Sequence, residues 1–338
     1  MISIEGFLSI VMPVRDAADT VTHAMESILG QTQPAWELVV VDDGSVDGTA
    51  GILASFARSD PRIRVITTPR NGIARALQTA CRAVRGNWIV RMDADDRMHP
   101  ERLAAQWEFA RRNPDLGVVS CLVRHGGDAP GYAAHVGWLN SLLTPEQIAL
   151  RRFVEAPVAH PSVMFRRELL DVHGGYREGD FPEDYELWLR WLDAGVRFGK
   201  VPRELLVWND PPARLSRNDP RYAVERFYQV KCAYLARWLR SNVDPVRKLW
   251  LWGAGRITRR RFDALESHGF PFEGFIDVDQ RKAGLHRDGR RVVMGNALPE
   301  RDRAFVIVGV GNRGARDLIA ADLTNKGRVE GRDFILSA

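Results

Sequence analysis

At 338 residues, with 45% hydrophobic and 27% charged residues, the chain has the balance of a globular protein and enough length for two cores. Cys81, Cys121 and Cys232 are widely spaced and include no CxxC pair, which argues against a disulfide framework or a zinc site and suits a reducing cytoplasm. The net charge of +5 is uneven: residues 244–338 hold 18 Lys+Arg against 13 Asp+Glu, while the preceding residues balance at 30 of each.

That excess favours a phosphate-bearing partner or an anionic membrane surface for the last part of the chain, a solvated basic face being the plainer account. No aromatic-interleaved basic strip or nucleic-acid reader motif accompanies it, so no nucleic-acid partner is expected. No apolar run reaches the ~18 residues of a membrane span, and the amino terminus has no basic region followed by an apolar signal segment. The expectation is a cytoplasmic protein, at most peripheral on the inner face of the membrane.

In chain order, Leu8–Met12 reads as a strand. Val21, Met25 and Ile28 then stand at helical spacing, with Asp19 as a candidate cap and Gly30 as a stop. Leu38–Val41, Arg64–Thr67 and Trp88–Met92 read as three further strands. Between them, Ile52, Leu53 and Phe56, then Ile73, Leu77, Ala80 and Val84, mark two helical stripes. Strands separated by helices of this length predict an α/β fold with a mainly parallel sheet, whose ligands lie beyond the carboxyl ends of the strands. Pro161–Phe165 is strand-like, Glu183–Asp193 is helical, and Asn209–Arg221 looks like a loop that caps a site. Tyr222–Arg240 is a basic helix with Phe227, Val230, Tyr234 and Trp238 on one side; it either lies on a membrane or, more simply, packs on its own protein. The predicted division is 1–218, a connecting helix 219–244, and 245–338.

Three acidic pairs sit at element ends. Asp93-Ala94-Asp95-Asp96 follows the strand Trp88–Met92. An extended backbone there puts Asp93 and Asp95 on one face and Asp96 on the other. Two such carboxylates repel each other unless a cation intervenes, and Mg2+ or Mn2+ prefers oxygen ligands of this kind. A solvated acidic turn ahead of Pro100, placed to start a helix, is the plainer alternative. Asp42-Asp43 closes a strand ahead of Gly44-Ser45, and Glu183-Asp184 opens a helix after Pro182, where acidic residues also suit the dipole.

Taken in order, the Ser9–Arg15 segment, the run Val40–Thr49, Asp93–Asp96, and Glu183-Asp184 followed by Leu187 and Arg190 resemble the inverting family 2 glycosyltransferases of GT-A fold, over about residues 7–220. The resemblance implies a nucleotide-sugar donor, usually a UDP-sugar, and a glycan or lipid-linked saccharide acceptor. It implies that Asp43 accepts a hydrogen bond from the base and that Pro13, Val14 and Arg15 line the same pocket. It further implies that Asp93 faces the nucleoside, Asp95 holds the divalent metal, Mn2+ or Mg2+, and Asp184 is the general base, with Glu183 beside it. One displacement with inversion needs one base and no covalent nucleophile.

Two departures from that family's pattern bear on the site. Arg15 stands where relatives often carry an aromatic residue able to stack on the base. In the loop where relatives often place a metal-binding histidine, this chain has Trp208-Asn209-Asp210, leaving Asp210 or water for the third position. His160 falls where relatives often have a histidine near the donor; a satisfied core histidine is the alternative.

In the last hundred residues Lys248–Trp252 runs into Gly253-Ala254-Gly255, and Asp277 follows Phe275-Ile276. Phe305–Val308 precedes a full GxGxxG with Gly309, Gly311 and Gly314. Glycines at a helix start admit a phosphate and an acidic residue can hold a ribose, so these are phosphate-binding candidates in a small Rossmann-like domain. Tight packing alone is the competing account. Two rival functions remain at this point. A sugar-phosphate nucleotidylyltransferase expects a glycine-rich basic loop after the first strand, where this chain has Pro13–Ala18; a nucleotide-sugar sensor would use the appended domain instead.

Overall fold

The structure is a computed structural model that describes residues 6–127, 130–211 and 214–338. The chain divides into two units, each packed mainly within itself. The first comprises Met1–Ile148, Val158–Gly179 and Arg190–Asp219; the second comprises Ala149–Pro157, Asp180–Leu189 and Pro220–Ala338. The helix Val224–Asn242 thus belongs to the second unit, as does the segment carrying Glu183 and Asp184.

In the first unit the strands are β1 (Leu8–Val14), β2 (Trp36–Asp43), β3 (Ile63–Thr68), β4 (Trp88–Arg91), β5 (Arg97–Met98), β6 (Leu116–His125), β7 (Met164–Arg166) and β8 (Arg197–Trp208). They form one sheet in the order β3-β2-β1-β4-β7-β6-β8-β5. The strands β1 to β4 are mutually parallel, β7 is antiparallel to both neighbours, β6 and β8 are parallel, and β5 is antiparallel to β8. All eight residues of β2 are buried, as expected of a strand covered on both faces. Because β1, β2 and β4 run the same way, Pro13, Asp43 and the Asp93 turn emerge at one edge.

The first four predicted strands lie within a residue or two of their places, and the helix Glu183–Asp193 has the bounds read from its pattern. Some local details differ. The first helix begins at Val21 with Thr20 as its cap residue, not Asp19. Pro100 precedes the cap residue Glu101 rather than starting the helix Arg102–Arg112. Pro161 lies in a short 3-10 turn ahead of β7. The Asn209–Arg221 stretch holds short helical turns at Leu215–Asn218 and Pro220–Tyr222; residues 212–213 lie outside the described residues.

The amino ends of β1 and β2 are locked by Glu37. Its buried carboxylate accepts hydrogen bonds from Ser9 Oγ (2.7 Å), Arg85 N (2.6 Å), Arg85 Nε (2.8 Å) and Arg64 Nη2 (3.0 Å). Although burial pushes its acidity the other way, these partners together hold the carboxyl below the usual range.

The second unit holds β9 (Lys248–Trp252), β10 (Phe272–Asp277), β11 (His286–Arg287), β12 (Arg290–Met294), β13 (Ala304–Val308) and β14 (Phe334–Leu336), in the order β11-β12-β10-β9-β13-β14. Apart from the small antiparallel β11, all its pairings are parallel. Numbered among the parallel strands alone, the order is 3-2-1-4-5, that of a Rossmann-like sheet. The helix Val224–Asn242 buries Tyr228, Cys232, Tyr234, Leu235 and Leu239 in this unit's core, with Phe227, Val230 and Trp238 packed at its margin. Its aromatic side is therefore covered by its own unit. Among the described residues no helix is long and apolar enough to cross a membrane.

Candidate active site

Beyond β4 the backbone does not stay extended. Asp96 N lies 3.4 Å from Asp93 O in a turn. This corrects the expectation that Asp96 points away: ligand oxygens of Asp93, Asp95 and Asp96 all lie within 4.8 Å of one another. Among the described residues this is the one acidic group with metal-holding geometry. Asn209, directly after β8, fixes the turn from outside. Its backbone N–H donates to Asp96 Oδ1 at 2.8 Å, and its side-chain amide donates to Asp95 O at 2.5 Å.

Burial and mutual repulsion act together on these acids. Asp95 is pushed up to about 6, first by burial and then by Asp93, with Arg214 and Arg91 opposing. Asp96 is raised well above the usual carboxylate range by burial and by Asp93 and Asp95. Its Oδ2 is buried and has no hydrogen-bond partner. A carboxylate with an orphaned oxygen, clustered with two more carboxylates, is a donor set a hard divalent cation takes, so the residues present fit Mn2+ or Mg2+.

Behind the turn stands Arg91, a charged residue in a strand buried at all four positions. Its guanidinium is ion-paired with Asp93, and its Nε has no hydrogen-bond partner. Arg102, also buried, donates from Nη2 to Arg91 O (3.1 Å) and from Nε to Gln106 Oε1 (3.0 Å), bracing the strand's end. His160 Nε2 sits 2.8 Å from Tyr176 Oη, and burial followed by the Arg91 charge holds its pKa well below the ordinary value. This histidine is neutral and belongs to the interior.

At the end of β2 the Asp43 carboxylate accepts two backbone N–H groups, Asn71 to Oδ1 (2.8 Å) and Gly72 to Oδ2 (2.9 Å). Gly44 has φ +71°, and a Cβ there would come 2.9 Å from Arg70 N, so the turn admits only glycine. Arg15, following β1, places Nη1 3.7 Å from Asp43 Oδ2 and is 30% exposed. Pro13 and Val14 end β1 in register with Val41 and Asp42. Asp210 is not part of the acidic group: its carboxylate is paired with Arg217 and lies 3.6 Å from Arg214.

In the second unit, Glu183 is buried and accepts a hydrogen bond from Tyr222 Oη at 2.7 Å. Burial and the Asp184 charge push its carboxyl up to about 7. Asp184, half-buried, accepts the backbone N–H of Tyr185 at 2.7 Å.

Three of the six candidate phosphate residues of that unit are accounted for locally. Asp277 accepts from Lys282 Nζ (2.8 Å) and Asp279 N (3.0 Å). A Cβ on Gly253 would meet Thr258 at 2.9 Å; one on Gly309 would meet Phe262 at 2.7 Å. Packing therefore explains those two glycines. Gly255 and Gly311 face open space, and Gly314 meets only Asn312 Oδ1, at 3.8 Å. The helix Arg313–Asn325 is capped by Asn312, whose Oδ1 accepts Ala315 N.

The family model for glycosyl transferase family 2 matches residues 9–174, the span that carries β1, β2, β4 and the acidic turn. Over these residues the chain is a family 2 glycosyltransferase domain. The glycosyltransferase is 28% identical over 243 residues to the O-antigen biosynthesis glycosyltransferase WbnJ of Escherichia coli, covering 70% of this chain and 90% of that one. It is 27% identical over 223 residues to the putative glycosyltransferase EpsE of Bacillus subtilis, covering 64% and 78%. In fold it is similar to S. aureus TarS 1-349, solved with UDP-GlcNAc, at a TM-score of 0.57 and 17% identity over 77% of this chain and 71% of that one. It is also similar to a mannosyltransferase of Pyrobaculum calidifontis, solved with GDP-Man and Mn2+, at 0.53 and 23% over 78% and 68%.

Asp43, Asp93 and Asp95 are legible as site candidates in the sequence of the glycosyltransferase. Arg91, Asn71, Gly72, Tyr222 and Arg214 are not. A lone arginine inside the run Trp88–Met92 is the available signal for Arg91; the others join through backbone or long-range contacts with no pattern of their own.

Proposed function

We propose that this glycosyltransferase moves a sugar with inversion from a nucleoside-diphosphate sugar to a saccharide or lipid-linked saccharide, assisted by a divalent metal. The observation that carries the reading is the Asp93–Asp95–Asp96 group with its orphaned Asp96 oxygen. Asp95 and Asp96 would hold the cation. When bound, it would offset the charge that develops on the departing diphosphate. Similarity to proteins solved with UDP-GlcNAc and with GDP-Man and Mn2+ supports this class of donor, and the O-antigen relative supports a glycan acceptor.

Asp43 and Arg15 would read the base, with uracil as the first choice. Asp93, pinned by Arg91, would orient the nucleoside. Asp184 would take the proton from the acceptor hydroxyl, with Glu183 beside it as the second candidate. For the second unit, the 3-2-1-4-5 strand order with Gly255 and Gly311 open favours a phosphate-bearing small molecule.

The test is calorimetry of UDP-sugars and GDP-sugars with and without Mn2+, followed by product stereochemistry. Metal-dependent binding and an inverted product are expected. Binding without hydrolysis or transfer to any acceptor would favour a sensor.

A further inference from the structure

Arg214 lies on the loop after β8 and its side chain is 19% exposed. Its Nη1 donates to Tyr132 Oη and lies 3.6 Å from Asp210 Oδ1. The guanidinium carbon sits 4.5 Å from the Trp208 ring centroid and 5.1 Å from that of Tyr132, and the two rings are themselves 5.0 Å apart. Trp208 closes β8, and the next residue, Asn209, ties down Asp95 and Asp96. The adjacent residues Trp208 and Asn209 thus meet the guanidinium and the acidic group respectively.

The charge acts on the acidic group without touching it. Arg214 is among the groups that counter the charge of Asp95 and Asp96, yet among the described residues its one carboxylate partner is Asp210. A guanidinium left to itself would fork onto a carboxylate. This one is tethered at a single nitrogen and flanked by rings, so Nε and Nη2 have no protein partner among the described residues. Three carboxylates against Arg91 and Arg214 leave a formal charge of about −1, and a divalent cation turns that to about +1. Such a site takes an anion whose oxygens reach a metal and a guanidinium at once, which two linked phosphates do and one phosphate does poorly.

We propose that Arg214 is a second cationic contact for the donor's diphosphate, the residue by which the site tells nucleoside diphosphates from monophosphates. The inference rests on the nucleoside-diphosphate donor reading above. Its test is calorimetry of UDP, GDP, UMP and GMP in Mn2+ with wild type, Arg214→Gln and Arg214→Lys. Losing a charge-assisted contact should weaken diphosphate binding by about 10- to 100-fold. Monophosphate binding should move by less than about threefold, and the lysine, with charge but no fork, should fall between.

Equal losses for both nucleotide classes, or unchanged diphosphate affinity in Arg214→Gln, would overturn the contact while leaving the donor reading intact. A wild-type protein that binds no nucleoside diphosphate in Mn2+ would overturn both. Should Arg214→Gln fail to fold, Tyr132→Phe decides: it removes the tethering hydroxyl and keeps the ring. A selective diphosphate loss of about 2- to 10-fold supports the contact, and no change refutes it.

Discussion

The two sheets of this chain share a layout and differ in what they leave unfinished at their carboxyl ends. In the first unit, β4 ends in three carboxylates that repel one another, and one oxygen has no partner. In the second, β10 ends in Asp277, already paired with Lys282, and β9 and β13 end in glycines that packing accounts for. Acidic and glycine motifs look equally functional on paper. The difference lies in charge: an unpaired hydroxyl such as Ser337 Oγ costs about 1–3 kcal/mol, whereas three carboxylates crowded together call for a cation.

Removing the unfinished charge should separate the two sheet ends most sharply. Asp95→Ala should fold normally, lose the Mn2+-dependent part of nucleotide affinity, and lower turnover by about 10³-fold or more. Unchanged metal-linked affinity in calorimetry would remove Asp95 from the site. Since protons compete for the same raised carboxylates, Mn2+ affinity of the wild type should weaken as pH falls through about 6.

Next in size is the separation of base from binding. Asp184→Asn should keep donor affinity and lower transfer by ~10²–10⁴. Asp43→Asn should weaken donor binding instead, because an amide nitrogen replaces one of two oxygens clamped by Asn71 and Gly72. A fully active Asp184→Asn protein would make Glu183 the next candidate.

Within the second unit, Gly309→Ala should destabilise by roughly 1–3 kcal/mol, since its new carbon meets Phe262 and Leu251. Gly311→Ala, facing open space, should leave the melting temperature nearly unchanged. If a phosphate compound binds there, Gly311→Ala should weaken it; a thermal-shift screen in which no phosphate compound distinguishes the variant from wild type would leave packing as the whole account.

A pH-dependent effect concerns Glu183. A carboxyl raised to about 7 in the folded chain holds its proton more tightly there than unfolded, near 4.5. Its burial therefore costs stability above pH 7 and that cost fades as pH falls towards 4.5. Glu183→Gln should be more stable to unfolding than wild type at pH 8, by roughly 1–3 kcal/mol at most in denaturant titrations, with the gap closing near pH 4.5.

Most of what is readable from the sequence comes from periodicity and local order. The alternation of buried strands and helical stripes places β1 to β4, and the run of four residues Asp93–Asp96 announces its own chemistry. Strand β8 escapes because Pro202, Arg203 and Glu204 interrupt its apolar pattern, and its pairing with β6 spans some eighty residues. A turn at Asp93–Asp96 is among the readings the sequence leaves open, but its tie to Asn209, 113 positions away, escapes. Local sequence carries no trace of such a tie.

If Asp43 and Arg15 read the base as proposed, the close approach at Gly44 bears on any attempt to change which base is accepted. The loop around Asp43 is closed to redesign from below: any side chain at position 44 collides with Arg70, and Asp43 itself is held by two amides. Arg15 is loosely paired at 3.7 Å and partly exposed, so a library aimed at donor choice belongs there.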